Sequence, residues 1–520
     1  MCVDTDALKP PIPNSHRPCC MISKFKPLLP HLLLALFGAI SVFSFAPLYL
    51  FPLMWLSLAA LTFAIQKSPS PKAAAWRGFS FGLGFFLANI HWIFISLNTF
   101  GGMPAPMAAG GILVLAAYMA LFPALAGWLT LKLPCPERLR VLLLPTVFIL
   151  TEWLRGWLFT GFPWASVGYS QSPMTPLAAY APIGGVYLIG WLLCLSIALI
   201  VSKPKWLKGW GIVASIWIAG WGLNQLEWTR KVGAPVRVSL VQGNISQDIK
   251  WDNAFYLDSL KSYLELTQKA RGQLVVLPET AIPSFISDVP DWYPQLLRDA
   301  VAPRKADLIL GIPILGKHEA EYYNAVTVMS DPALPLYKKQ HLVPFGEFIP
   351  LPWLFNWIYQ FMDMPLSGFS RGAVKQAPFS LASGQIAANI CYEDVFGREI
   401  INALPEATML VNLSNLAWFD GSWAAAQHAQ MSQTRALETG RYMLRATNTG
   451  VTAIIDEKGR FKGVLPEKTA GILEGTAQNR SGMPPYAWGG DYPLLIALGA
   501  LLLGLGLLRR REAQACFAQA

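Results

Sequence analysis

Eight apolar segments, each long enough to cross a bilayer, dominate what this chain can fold into. A span needs about 17 to 25 residues, and the approximate candidates are 27–44, 47–65, 78–98, 105–130, 141–159, 183–201, 207–223 and 491–508. Between the seventh and the eighth, residues 231–485 have the polar and charged content of a globular domain. The chain of 520 residues is 53% hydrophobic and 14% charged, outside the range of ordinary soluble proteins. It divides into a tail (1–26), a seven-span helical bundle (27–225), an α/β domain (231–485), an eighth span (491–508) and a second tail (509–520).

Loop charges set the orientation, because short cytoplasmic loops retain Lys and Arg. Lys24 and Lys26 precede the first span; Lys67, Lys72 and Arg77 follow the second; Lys132, Arg138 and Arg140 follow the fourth; Lys203, Lys205 and Lys208 follow the sixth; Arg509, Arg510 and Arg511 follow the eighth. The intervening loops NTFGGMPAP and GFPWASVGYSQSPMTPLAAYAP carry no basic residue. Both termini are therefore expected in the cytoplasm and the 231–485 domain outside. Much of the +10 net charge is topological and argues little for nucleic acid. About 25 mixed polar residues precede the first span, and no small-residue cleavage site follows it, so it is expected to be retained.

Of seven cysteines, Cys2, Cys19, Cys20, Cys135, Cys194 and Cys516 fall in tails, a cytoplasmic loop or a span, and Cys391 alone lies in the outer domain. It has no partner there for a disulfide, and a free thiol outside the membrane is a liability unless used. Within the bundle, Glu152 and Arg155 stand three apart on one helical face, suiting an ion pair near the outer leaflet or a lipid-headgroup contact. Asn89 and His91 fit a packed interior and receive no role.

The outer domain alternates short apolar strands (236–242, 274–279, 307–312, 324–329, 386–393, 408–415, then the pairing candidates RYMLRATN and VTAIID) with amphipathic helices near 252–270, 292–301 and 422–439. This pattern indicates a sheet covered on at least one face. Three of its segments carry the ionisable residues that matter. Glu279 ends LVVLPE, Lys339 lies in LYKKQHLVPFGE, and Cys391 ends the apolar run IAANIC before acidic residues. They are too far apart in sequence for local contact, but a sheet can gather strand ends at one edge. A carboxylate that takes the thiol proton, a thiolate that attacks a carbonyl carbon and an ammonium that stabilises the oxyanion form a coherent set. Singly, each has an ordinary explanation: a solvated strand-end charge, one of two adjacent lysines, or a cysteine buried as a small hydrophobe.

LPETAIP, YKKQHLVPFGEFIP, NICYEDVFG and NLSNLAWF, in that order, resemble the nitrilase or carbon–nitrogen hydrolase superfamily. Its members place a Glu, Lys and Cys triad on an α-β-β-α sandwich. HLVPFGE, RATNTG and the flanking spans resemble the branch formed by bacterial apolipoprotein N-acyltransferases, and this likeness covers essentially the whole chain. It implies transfer of an acyl chain from a membrane phospholipid to the α-amino group of a lipoprotein's N-terminal diacylglyceryl-cysteine, through a thioester. Glu279 matches the general base, Lys339 the triad lysine and Cys391 the nucleophile. Trp251, Glu347, Tyr392 and Glu393 match supporting positions. Leu416 departs from the pattern, where an acidic residue is expected. The likeness further implies a monomer in the bacterial inner membrane, with the sandwich on the periplasmic side. No metal or nucleotide signature is present, and no cofactor is expected.

Two other readings share parts of this pattern. A membrane-tethered amidase would use the same three residues on a small amide. A transporter or lipid-binding scaffold would need neither them nor so few intramembrane charges, and no inverted repeat of interrupted helices is evident. Between two of the functional segments, residues 349–372 insert Trp353, Leu354, Phe355, Trp357, Ile358, Phe361 and Met364 with few charges, too short and Pro-bounded to span a bilayer. Either this is a core loop, or it is an amphipathic arm giving lipid access to the site, with Trp353, Phe355, Trp357 and Phe361 as its apolar side.

Overall fold

The computed structural model describes residues 28–202, 206–318, 321–361 and 368–519. The expected N-terminal tail with Cys2, Cys19, Cys20, Lys24 and Lys26, the loop residues Lys203 and Lys205, and Met364 lie outside these. Helices occupy all eight apolar segments: α1 (Leu29–Ile40), α2 (Pro52–Gln66), α3 (Pro71–Ile90), α4 (Ala105–Lys132), α5 (Leu143–Arg155), α6 (Ala181–Ser202), α7 (Leu207–Leu223) and, after the outer domain, a last helix at Tyr492–Gln519. Among the described residues, three stretches suffice by length and composition to cross a membrane: Ala105–Lys132, Pro176–Ser202 and Tyr492–Cys516. The expectation of eight full spans is corrected to that extent. Leu29–Ser44 and Pro52–Gln66 are apolar but shorter. The span expected over 141–159 is a helix of 13 residues. It stops where Arg155 turns its guanidinium onto the following loop, donating to the carbonyls of Phe162 and, at 2.8 Å, Trp164.

Local sequence explains several boundaries. Ser70 caps α3 by accepting from the Ala73 N–H at 3.2 Å, and Pro71 occupies the first turn, where its missing donor costs nothing. Small residues let α1, α3 and α4 approach closely; a Cβ on Gly84 would lie 1.9 Å from the Ala35 carbonyl oxygen.

The outer domain is two six-stranded sheets packed face to face. Its strands are β1 (Val236–Gln242), β2 (Leu274–Val276), β3 (Asp307–Leu315), β4 (Tyr322–Val328), β5 (Leu336–Lys338), β6 (Phe379–Leu381), β7 (Gly384–Ile390), β8 (Met409–Ser414), β9 (Met443–Thr447), β10 (Thr452–Ile455), β11 (Phe461–Leu465) and β12 (Gly471–Ala477). One sheet runs β12-β1-β2-β3-β4-β5, the other β11-β10-β9-β8-β7-β6. Each has three parallel strands at its centre, β1-β2-β3 and β7-β8-β9, flanked by antiparallel ones. Val238, Leu240, Val276 and Ile309 of the first sheet meet Ile386, Val411, Leu413 and Leu444 of the second in one apolar core. This is why the central strands read as continuous apolar runs.

Helices α8 (Tyr256–Lys269) and α9 (Trp292–Val301) cover the first sheet. Helix α10 (Ala424–Thr439) covers the second and is buried along nearly its whole length, because its other side faces the helical unit. That contact is partly apolar, through Ala424, Met431 and Leu437, and partly polar. Gln430 accepts from the Ala46 N–H at 2.9 Å and donates to the carbonyls of Tyr169 and Ser172, both at 2.8 Å. Trp164 Nε1 donates to Gln427 at 2.8 Å and the Val186 N–H to Glu438 at 3.0 Å. The domain's entry and exit lie side by side, since Arg230–Lys231 pairs with Arg480–Ser481 and β12 with β1.

Candidate active site

The parallel strands of the two sheets end at one edge, and the expected residues gather there. Glu279 follows β2, Lys339 immediately follows β5, and Cys391 immediately follows β7. Lys339 is 1% exposed, and its Nζ donates to Glu347 Oε1 at 2.8 Å and lies 3.6 Å from Glu279 Oε1. Asn324 bridges the two acids, donating to Glu279 Oε1 at 2.8 Å and Glu347 Oε1 at 3.1 Å. The other Glu279 oxygen accepts from the Asn415 N–H at 2.8 Å, and Glu347 Oε2 from the Val343 N–H at 2.8 Å. Gly311 makes this fit: a Cβ there would lie 2.7 Å from the Glu279 Cα.

Charge and burial fix the protonation pattern. Burial opposes the Lys339 charge, but the carboxylates of Glu347 and Glu279 outweigh it and hold the ammonium well above its usual range. Burial pushes the Cys391 thiol up, the Glu279 charge adds to this, and Lys339 offsets part of it. Burial and the Glu279 charge thus favour the thiol over the thiolate. The Cys391 backbone sits in the left-handed region at φ 51°, a conformation L side chains rarely adopt.

Glu393 ties this turn to the lysine loop. It accepts from the N–H groups of Ile390 (2.6 Å), Gln340 (2.7 Å) and His341 (3.2 Å) and from the Tyr337 hydroxyl (3.0 Å). Burial pushes its carboxyl up to about 7, against the pull of Lys339 and those amides. Tyr392 is buried with its hydroxyl donating to the Gly161 carbonyl at 3.2 Å, joining the turn to the helical unit. Trp251 is half-buried, and its Nε1 is buried without a hydrogen-bond partner. Leu416, the departure from the family pattern, is buried in an apolar cluster with Ala425, Ala429 and Val451.

The 349–372 segment frames the site at both ends. The Gly368 and Phe369 N–H groups donate to the Glu347 carbonyl at 2.8 and 2.9 Å, and the Gly372 N–H to the Lys339 carbonyl at 2.8 Å. Phe355 packs edge-to-face on Phe345 at 5.2 Å. Trp353 is 81% exposed, and Trp357 and Phe361 are also exposed.

Sequence reasoning missed Asn324, Asn415 and Lys250. The first two are short polar residues, Asn324 within β4 and Asn415 just after β8, with nothing to single them out. Lys250 neighbours Trp251 in a single helical turn, Gln247–Lys250, yet is 2% exposed. Its Nζ donates to the Glu279 carbonyl at 3.3 Å, and burial pulls it down to about 8 against the opposing effect of Glu279 and Cys391. Among the described residues, no group of three or more His, Cys, Asp or Glu side chains is placed to hold a metal ion.

Two facing sheets with helices outside, and a thiol, an ammonium and carboxylates at their common edge, define the carbon–nitrogen hydrolase class. Residues 237–481 match the carbon–nitrogen hydrolase family, and residues 37–199 the family described as apolipoprotein N-acyltransferase N-terminal domain. The chain is 46% identical over 485 residues to an apolipoprotein N-acyltransferase of Chromobacterium violaceum, covering 92% of this chain and 94% of that one. It is 45% identical over 477 residues to one of Nitrosomonas europaea, covering 90% and 95%. One of Methylococcus capsulatus is 41% identical over 493 residues, covering 92% and 96%. The chain belongs to the apolipoprotein N-acyltransferase family, an N-acyltransferase built on a carbon–nitrogen hydrolase domain, and its long apolar helices suit a membrane.

Proposed function

We propose that this chain transfers a fatty acyl group from a membrane phospholipid to the α-amino group of the diacylglyceryl-cysteine that begins an apolipoprotein, in two half-reactions through a thioester on Cys391. The observation that carries this reading is the buried Lys339 ammonium shared between Glu347 and Glu279, at the sheet edge where the Cys391 turn begins. In the first half, Glu279 takes the thiol proton as sulfur attacks the ester carbonyl, and Lys339 stabilises the oxyanion. The C–O bond then breaks, the lysophospholipid leaves with the proton from Glu279, and the thioester remains. In the second half, the neutral amine attacks the thioester carbonyl and Glu279 accepts its proton; the C–S bond then breaks, leaving the amide, and Glu279 returns that proton to sulfur to restore the thiol.

Glu347 keeps Lys339 charged, and Glu393 keeps the thiol turn and the lysine loop in register. Trp251, next to the Lys250 that bonds the Glu279 carbonyl, is a supporting residue. Trp353, Phe355, Trp357 and Phe361 form an arm that dips into the outer leaflet and admits lipid. The sandwich faces the periplasm, the seven helices before it and the one after it hold it in the inner membrane, and the enzyme acts as a monomer without a cofactor.

Intact mass of protein purified from membranes tests the covalent step. An acyl adduct is expected on Cys391 and absent in Cys391→Ser, whose turnover should fall by several orders of magnitude. Glu279→Gln should also lack the adduct, yet its thiol should react with iodoacetamide at lower pH than wild type, because the Glu279 charge raises the thiol pKa. An unmodified thiol with turnover of small amides would instead indicate a tethered amidase.

A further inference from the structure

Behind the nucleophile lies a buried polar cluster that the acyl-transfer steps leave unused. Asp394, Asn412, His428, Ser432 and Arg445 are each at most 1% exposed. Arg445 Nη2 lies 2.7 Å from His428 Nδ1. A guanidinium only donates, so Nδ1 is the acceptor and the imidazole carries its proton on Nε2. That Nε2–H is directed at the Cys391 carbonyl oxygen, 3.1 Å away, and also at Asp394 Oδ1. Asn412 Nδ2 donates to the same carbonyl at 3.1 Å. Arg445 Nη1 locks the assembly from behind, donating to Asn412 Oδ1 at 3.0 Å, Ser432 Oγ at 2.8 Å and Asp394 Oδ2 at 3.2 Å. Burial and the Arg445 charge hold the imidazole below its usual range, in keeping with the neutral tautomer.

The carbonyl so gripped belongs to the residue with the left-handed backbone. A non-glycine residue stays in that region only when its surroundings over-determine it, and here two fixed donors converge on one oxygen. We propose that His428 and Asn412 are positioning residues: by holding the Cys391 carbonyl between them, they keep the thiol on its line of attack between Glu279 and Lys339. This assignment rests on Cys391 being the nucleophile. The grip is continuous with the helical unit, since the Trp164 ring lies 5.9 Å from His428 and its Nε1 donates to Gln427 beside it.

The test compares His428→Leu, which removes the donor, with His428→Gln, whose amide can offer one from a similar place, in the full-length protein in detergent. Acylation of Cys391 is followed by intact mass. The rate is expected to fall about 10²-fold in His428→Leu, as for a nucleophile displaced by about 1 Å, with the concentration dependence on phospholipid unchanged. His428→Gln should recover most of the rate. The same variants are then read by alkylation of Cys391 with iodoacetamide, which needs no lipid, and the same order is expected. Equal alkylation rates in wild type and His428→Leu would overturn the assignment whatever the acyl donor is. Equal slowing in both variants would assign His428 to packing and overturn it as well. Should His428→Leu fail to fold, Asn412→Asp, nearly isosteric but without the donor, must show the same slowing if the assignment holds.

Discussion

Lys250 shows how a site residue can hide in a sequence. Nothing in IKWD distinguishes its lysine from a solvated one, and only the fold reveals an ammonium that is 2% exposed and bonded to the Glu279 carbonyl. Its ordinary value of 10.5 falls to about 8 through burial. Below pH 8 the folded and unfolded chains both carry the proton, so the full cost of burying the charge is present. Between pH 8 and 10.5 the folded chain sheds it first, and the cost fades. Lys250→Met is therefore expected to stabilise the protein by on the order of 2–3 kcal/mol at pH 7, with the gain vanishing near pH 10.5. Thermal unfolding in detergent at several pH values measures this, and a variant no more stable than wild type at pH 7 would contradict it. The convergence of Glu279, Lys339 and Cys391 at one sheet edge was legible because each lies in a recognisable motif. Asn324, Asn412 and His428 were not, because their significance lies only in which distant atom they face.

Among the elements, those with strong periodicity were read well. The helices expected near 252–270, 292–301 and 422–439 stand at Tyr256–Lys269, Trp292–Val301 and Ala424–Thr439. The edge strands β5, β6, β11 and β12 escaped notice because they are short or half-exposed and carry no continuous apolar signal. The apolar pattern also failed to show that α10 is buried on nearly all sides, since Ala424, Met431 and Leu437 meet the helical unit together with glutamines, an arginine and a glutamate that read as a solvated face. The arm is the element where composition and exposure point the same way: Trp353, Trp357 and Phe361 are large, apolar and exposed. Trp357→Glu with Phe361→Glu should weaken use of bilayer phospholipid far more than reaction with a short soluble acyl donor. Equal loss on both donors, together with a lower melting temperature, would show that these side chains support the fold instead.

For the molecule as a whole, the loop charges make a prediction independent of any site. A reporter active only outside the cytoplasm should work when fused near Ala234 or Pro290 and be silent after Lys72 or Arg140. The reverse pattern would put Cys391 on the cytoplasmic side and dismantle the proposed reaction. The eight segments were visible in the sequence, but how deeply each helix runs was not, because turns such as the one gathered around Arg155 end helices inside apolar stretches. The pairing of Arg230–Lys231 with Arg480–Ser481 has a consequence of its own. A domain that enters and leaves through one doorway hangs from a single stalk, so the main chain places little restriction on its tilt. The tilt is left to side chains, those of α10 and of the turn after Cys391 that meet the helical unit. A lineage could therefore re-aim the sandwich relative to the lipid surface by changing a few contacts on α10, leaving both sheets and every helix of the platform as they are.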